Sequence, residues 1–159
     1  VEAAGDKERA VIVFAVDPGS VSAAWGIANE REALACGDVP VADRMIDAAG
    51  FADLVAHFPA SVAVVEKVGA FPRQGVSSSF RFGMGTGIIH GVLAALVVRR
   101  VEVSPMVWKK HFRLGPDKEQ ARALALKLFS DLSEPLARKR DAGRAEALLM
   151  AWWYLETHK

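Results

Sequence analysis

An α/β domain, a sheet flanked by helices, is the fold class this sequence predicts, and three stretches predict it. Val11 to Val16 (VIVFAV) is a continuous apolar run that stops at Asp17-Pro18-Gly19. Ser61 to Val65 (SVAVV) is a second such run, and it stops at Glu66. Short unbroken apolar runs closed by a polar or turn residue read as buried central strands. The third stretch, Ala142 to Glu156, is an apolar helix with Asp141 at its start and Glu146 inside its first turns.

Composition sets the frame. With 159 residues, 52% hydrophobic and 25% charged, the chain has enough apolar material for one domain with a real core. Residues 1–10 (VEAAGDKERA) read as a flexible tail and 11–158 as a single domain. One cysteine, Cys36, excludes a disulfide framework and a multi-cysteine zinc site, and suits a reducing compartment. The longest apolar run, Ile88 to Val98, is interrupted by His90 and Gly91 and is too short for a membrane span. The N-terminus lacks an apolar signal-peptide core.

After Gly19, Ala23 to Ala28 and Ala33 to Val39 read as two strands joined by the polar Asn29-Glu30-Arg31-Glu32, a hairpin. Ala48 to Phe58 has helical spacing, with Phe51, Leu54, Val55 and Phe58 on one face, and Pro59 stops it. Lys67 to Ser79 reads as a loop. Its Phe71, Arg73 and Gln74, followed by Ser77 and Ser78, are residue types that stack on bases and grip phosphates. An ordinary connection has the same composition.

Phe80 to Val98 reads as a long helix despite Gly83, Gly85, Gly87 and Gly91. An interior glycine costs about 1 kcal/mol relative to alanine, so this series points to close backbone approach by another helix, a partner subunit or nucleic acid. Val101 to Val103 is a fifth, short strand. Ser104-Pro105 is a good helix start, opening a helix that carries Trp108, Lys109 and Lys110 until Gly115-Pro116 breaks it. Asp117 caps Lys118 to Phe129, with Leu124, Ala125 and Leu128 inward and Lys118, Arg122 and Lys127 outside. The basic run Arg138-Lys139-Arg140 precedes the last helix.

Two buried strands thus each deliver an acid at the C-terminal end, where functional groups gather in open α/β sheets. If the last helix packs there, Asp141 and Glu146 meet Asp17 and Glu66. Asp141 alone is equally an N-cap. Clustered carboxylates repel one another, and a divalent metal makes such a cluster tolerable. An all-oxygen site suits Mg²⁺ or Mn²⁺ better than zinc. Two such ions, about 4 Å apart, can clamp the attacking and leaving oxygens of a phosphodiester. The net charge of +1 hides an acidic first part and a basic second part, from Arg99 onward. Lys109, Lys110, Arg122, Lys139 and Arg140 lie in that basic part as candidate phosphate contacts.

The order strand-Asp, strand-Glu, acidic C-terminal helix resembles the ribonuclease H-like superfamily. The segments VDPGS (16–20), VVEKVGAFPRQGVSSSFRFG (64–83), SPMVWKKHF (104–112), DKEQARALALKLF (117–129) and RKRDAGRAEALLMAWW (138–153) resemble RuvC-type Holliday junction resolvases, above all the short bacterial and phage members and the chloroplast resolvases. The resemblance runs from about Val11 to Tyr154. It implies a mixed five-stranded sheet flanked by helices and a homodimer that nicks two opposing strands of a four-way DNA junction. By position it assigns Asp17, Glu66, Asp141 and Glu146 to the metals, two Mg²⁺ or Mn²⁺ per site. It places Lys118 near the scissile phosphate, with Lys109 or Lys110 as a second lysine. It also implies a cytoplasmic bacterial or phage-encoded protein, or a chloroplast protein after loss of a transit peptide.

Two departures stand out. Members of this subgroup often have His or Asp where this chain has Ala142. The aromatic wedge that bacterial relatives place three residues after the strand-end Glu is Gly69 here, with Phe71 the nearest candidate. Three rival functions share the residues: an actin-like ATPase, which needs a second lobe; a ribonuclease H-like nuclease acting on another branched or hybrid nucleic acid; and a junction-binding protein that does not cut.

Overall fold

The computed structural model describes residues 10–19, 22–70, 72–96 and 98–159. Phe71, and all of the expected tail except the exposed Ala10, lie outside the described residues. The main sheet holds β1 (Ile12–Asp17), β2 (Ala24–Asn29), β3 (Ala33–Asp38), β6 (Val62–Glu66) and β7 (Arg100–Val103), in the order β3-β2-β1-β6-β7. β1, β2 and β3 pair antiparallel as a meander, whereas β6 lies parallel to both β1 and β7. This is the mixed five-stranded sheet that the resemblance implies.

Side chains of β1 alternate between two cores. Val13 and Ala15 pack with Leu148, Leu149 and Trp108 beneath α5 (Ala142–Thr157), while Phe14 and Val16 pack with Phe51 of α1 (Ala48–His57) and Ile89 and Leu93 of α2 (Val76–Ala95). Burial on both faces is why β1 and β6 are unbroken apolar runs. α5 approaches β2 so closely that a Cβ at Gly26 would stand 2.6 Å from the Leu148 backbone nitrogen. Only glycine fits there.

Four details depart from the sequence expectations. α2 begins four residues before Phe80, so Ser77 and Ser78 belong to its first turn rather than to a loop. A small hairpin, β4 (Val41–Ala42) with β5 (Met45–Ile46), was not foreseen; its turn places Asp43 and Arg44 at φ of 50° and 61°, the left-handed backbone that a two-residue hairpin requires. In α4 (Lys118–Leu128) the buried positions are Ala121 and Ala125, and Leu128 is exposed rather than inward. Arg122 is not outside: it is only 16% exposed and bonds Glu119 and the carbonyls of Leu136 and Ala137.

Candidate active site

Period two along a strand decides where the acids point. Asp17 continues the Val13-Ala15 face and Glu66 continues the Val62-Val64 face, both toward α5. The parallel register pairs Val16 with Val65, so the two acids stand side by side one position further on. Glu146, buried on α5, faces them from above. Burial raises the Asp17 carboxyl well above its ordinary range, and the charges of Glu146 and Glu66 raise it further. Glu66 is also raised, by burial first. A hydrogen bond from Trp108 Nε1 to Glu66 Oε2, at 2.8 Å, works against that rise.

Two lysines close the site. From α3 (Pro105–His111), Lys109 Nζ lies 2.9 Å from Glu146 Oε1. Lys118 Nζ, at the N-terminus of α4, lies 3.3 Å from Glu146 Oε2. Burial alone would lower the Lys118 ammonium, but Asp17 and Glu146 outweigh it and raise it. Despite its ion pair with Lys109, the buried Glu146 Oε1 receives no aligned hydrogen bond. Between the rival lysines the geometry separates clearly: Lys110 is exposed and lines an open hollow with Lys109, Arg113 and Met106.

Asp141 does not join this group. Arg138 N and Nε donate to its Oδ2 at 2.9 and 3.0 Å, and Arg138 Nη2 donates to its Oδ1 at 2.9 Å. Arg144 Nη1 stands 3.5 Å from the same Oδ1. Arg144 also donates from Nε and Nη2 to the two Asp38 oxygens at the end of β3, at 2.9 and 2.8 Å. Hydrogen bonding by Arg138 holds Asp141 below the usual carboxylate range, and Arg144 does the same for Asp38. Asp141 does not cap α5 with its side chain either. The expected four-acid cluster is therefore three acids and two lysines. Among the described residues, no three Asp, Glu, His or Cys side chains form a preassembled metal cluster.

A cleft of about 270 Å³ opens onto Asp17 and Lys118, and Lys139, Arg140 and Ala142 line it. Arg73, Ser77 and Ser78 are exposed beyond the end of β6, and Gln74 is half-buried. Arg73 sits at a φ of 68°. Three residues that shape the site and its border were not foreseen as such: Trp108, Arg138 and Arg144. Trp108 sits three residues after Pro105, in the segment SPMVW, which is the one signal that could have marked it.

No family model and no curated protein sequence matches this chain. Solved structures do match. Thermus thermophilus RuvC in complex with Holliday junction substrate superposes with a TM-score of 0.68, at 18% identity, over 93% of this chain and 97% of that one. Another Thermus thermophilus RuvC structure gives 0.63 at 16%, covering 92% and 96%. The fowlpox virus Holliday junction resolvase gives 0.60 at 15%, covering 92% and 99%. The likeness is one of fold, and the fold is that of these resolvases.

Proposed function

We propose that this protein is a structure-selective endonuclease that resolves four-way DNA junctions by divalent-metal-dependent hydrolysis, working as a symmetric homodimer. One observation carries the reading: Asp17, Glu66 and Glu146 converge with Lys109 and Lys118 at the C-terminal ends of β1 and β6, on a fold shared with a protein whose structure holds a Holliday junction substrate.

The donor set fits Mg²⁺ or Mn²⁺. All three side chains offer oxygen, the site already attracts two ammonium groups, and Glu146 Oε1 is buried without a hydrogen bond. When bound, such an ion supplies Lewis acidity and a water of lowered pKa. Asp17, Glu66 and Glu146 would hold it. Trp108 fixes the Glu66 carboxylate through Oε2. Lys118, with a side chain 63% exposed, reaches both the acids and the cleft. It can stabilise negative charge that grows on a phosphate in the transition state. Lys139 and Arg140 on the cleft wall, with Arg73, Ser77, Ser78 and Lys110, supply backbone contacts. Arg122 is committed to its own chain and is left out of that set.

Symmetric nicking needs two sites, which a two-fold dimer provides. α2 offers the surface. Val76, Phe80 and Met84, four residues apart, are 88%, 67% and 43% exposed. Gly83, Gly87 and Gly91 have open space where a Cβ would be. Leu93, on the same helix, belongs to the protein's own core.

Cleavage of a four-way junction, an RNA–DNA hybrid and plain duplex in Mg²⁺ tests the proposal. Symmetric nicks confined to the junction are expected, and Glu66→Gln should bind the junction without cutting. Undiminished cleavage in excess chelator would overturn it.

A further inference from the structure

We infer that the hollow beside α3 seats one nucleotide next to the nick, out of its base stack, with the base on Met106 and Leu114 and a phosphate on Lys110 and Arg113. The inference rests on the reading of the site as a junction nuclease and names what that site holds on one flank of the cut.

The hollow measures about 710 Å³. Met106, Leu114 and Pro116 give it apolar walls, and Lys109, Lys110 and Arg113 bring three positive charges. No Asp or Glu is among the residues that line it. Asp117, next in the chain to Pro116, turns its Oδ1 to the Glu119 backbone N–H and caps α4. Met106, Lys109 and Lys110 stand at i, i+3 and i+4, so they share one face of α3. Met106 is 77% exposed. A lone exposed apolar side chain is ordinary. One set among three cations offers a thioether to the face of a base and a counter-charge to its phosphate.

The hollow is preformed. Arg113 holds a left-handed φ of 57°, which a residue other than glycine keeps only where its surroundings fix it. Here they do. Arg113 N donates to the Lys110 carbonyl at 3.0 Å and Leu114 N to the Lys109 carbonyl at 2.8 Å. Gly115 N donates to Gln120 Oε1 at 2.9 Å. The loop between the two site lysines is thus tied at three successive residues.

Lys109 decides between a nucleic acid and a protein as the occupant. It lines the hollow, and its Nζ lies 2.9 Å from Glu146 Oε1. Hollow and acids therefore share a wall. A protein segment seated there would crowd the substrate, whereas the strand being cut can run through both. In plain duplex each base is held in its stack. Beside a branch point a base leaves the stack at lower cost, so the hollow favours branched DNA over duplex.

Junctions carrying 2-aminopurine, whose fluorescence rises on unstacking, test this at each nucleotide flanking the mapped nick. Glu66→Gln keeps the DNA intact during the measurement. At one flank the signal should rise about twofold on binding, and adding Met106→Ala should remove most of that rise. In the otherwise unchanged chain, Met106→Ala should slow single-turnover cleavage of a fully paired junction about fivefold, the low end of what one stacked base contributes. The loss should shrink to less than about twofold where that nucleotide is already unpaired. Its melting temperature should match the parent's, since Met106 is exposed. Arg113→Gly removes the charge and suits the left-handed backbone. It should weaken junction binding about fivefold and lower the salt slope by about one. No rise at either flank would overturn the inference, and cutting of junctions by the parent would keep the nuclease reading. A rise and a cleavage rate that Met106→Ala leaves untouched would overturn it too, and would be the result for a hollow that takes a protein partner. A parent that cuts no junction would overturn both.

Discussion

Lys118 Nζ lies 3.3 Å from Glu146 Oε2, so a lysine at the start of one helix caps the buried acid of another across the mouth of the site. The lysine is more than half exposed, while the Glu146 side chain is almost wholly buried. The pair therefore spans the boundary between the acids and the solvent that a phosphate would enter from.

In the proposed chemistry Lys118 acts from that position on the transition state more than on docking. Lys118→Ala is expected to slow single-turnover junction cleavage by roughly 10²-fold, the scale of losing one preorganised charge donor. Junction affinity should fall by only a few-fold. Equal losses in both would make Lys118 an ordinary backbone contact. Affinity of the parent should drop steeply between low and moderate salt, as backbone-dominated binding does.

Trp108 Nε1 donates a hydrogen bond to Glu66 Oε2. Trp108→Phe removes that donor and leaves the burial. The Glu66 carboxyl, already raised by burial, then rises further. A higher pKa keeps Glu66 protonated to higher pH, so the acid limb of the pH–rate profile should move upward. The smaller ring also leaves a core gap, costing about 1–3 kcal/mol. An unchanged acid limb alongside lowered stability would confine Trp108 to packing.

Arg144 separates structural acids from site acids. Its loss in Arg144→Ala leaves the buried Asp141 with Arg138 alone and Asp38 with no partner on that side. A cost of roughly 1–3 kcal/mol follows from the lost charged hydrogen bonds. Both carboxyls are held low in the folded state, so their contribution is present above the unfolded carboxyl pKa and disappears as pH falls through the folded values. The gap in melting temperature between parent and variant should be full at neutral pH and close in acid. A gap independent of pH would contradict this role of the ion pairs.

The exposed stripe on α2 predicts that Phe80→Asp is monomeric. The parent should sediment as a dimer at micromolar concentration, with or without a junction. A dimer that survives Phe80→Asp would move the interface elsewhere; a monomeric parent would remove it.

How much of this was legible in the sequence depends on the range of the cause. The two-faced burial of Val11–Val16 and Val62–Val65 is written as apolar runs, so both strand-end acids could be read directly. The start of α2 could not. Gly75-Val76-Ser77-Ser78 has the composition of a loop, and only packing of the following turns on the core extends the helix back over it. The hairpin at Val41–Ile46 has two residues per strand, too few to carry a pattern. Asp141 and Arg122 were misplaced for a third reason. Their surroundings are set by Arg138, Arg144 and the carbonyls of residues 136 and 137, and Arg144 in turn is fixed by Asp38, 106 residues away. Residue type announces a charge, but its partner is decided by the fold.

The last prediction concerns the cost of holding the acids together. Asp17 is 7% exposed and faces Glu146 and Glu66. Burial first, then the repulsion of those two carboxylates, raises its folded pKa above the unfolded value, and Lys118 offsets this only in part. A raised carboxyl pKa means the native state holds its proton more tightly than the unfolded chain does. Stability is therefore lost as pH climbs from the unfolded carboxyl range through the folded value, and the loss is complete above both. Asp17→Asn removes the charge and keeps the shape. At neutral pH in chelator it should melt higher than the parent. A divalent ion bound only by the native state stabilises it by mass action, so Mn²⁺ should raise the parent's melting temperature and raise that of Asp17→Asn much less. The variant should not cut junctions. Thermal melts of both proteins, in chelator and across a Mn²⁺ series, measure each part. If Asp17→Asn melts lower in chelator and shifts with Mn²⁺ as far as the parent, Asp17 is a structural residue at the end of β1, and the site must be rebuilt around Glu66 and Glu146.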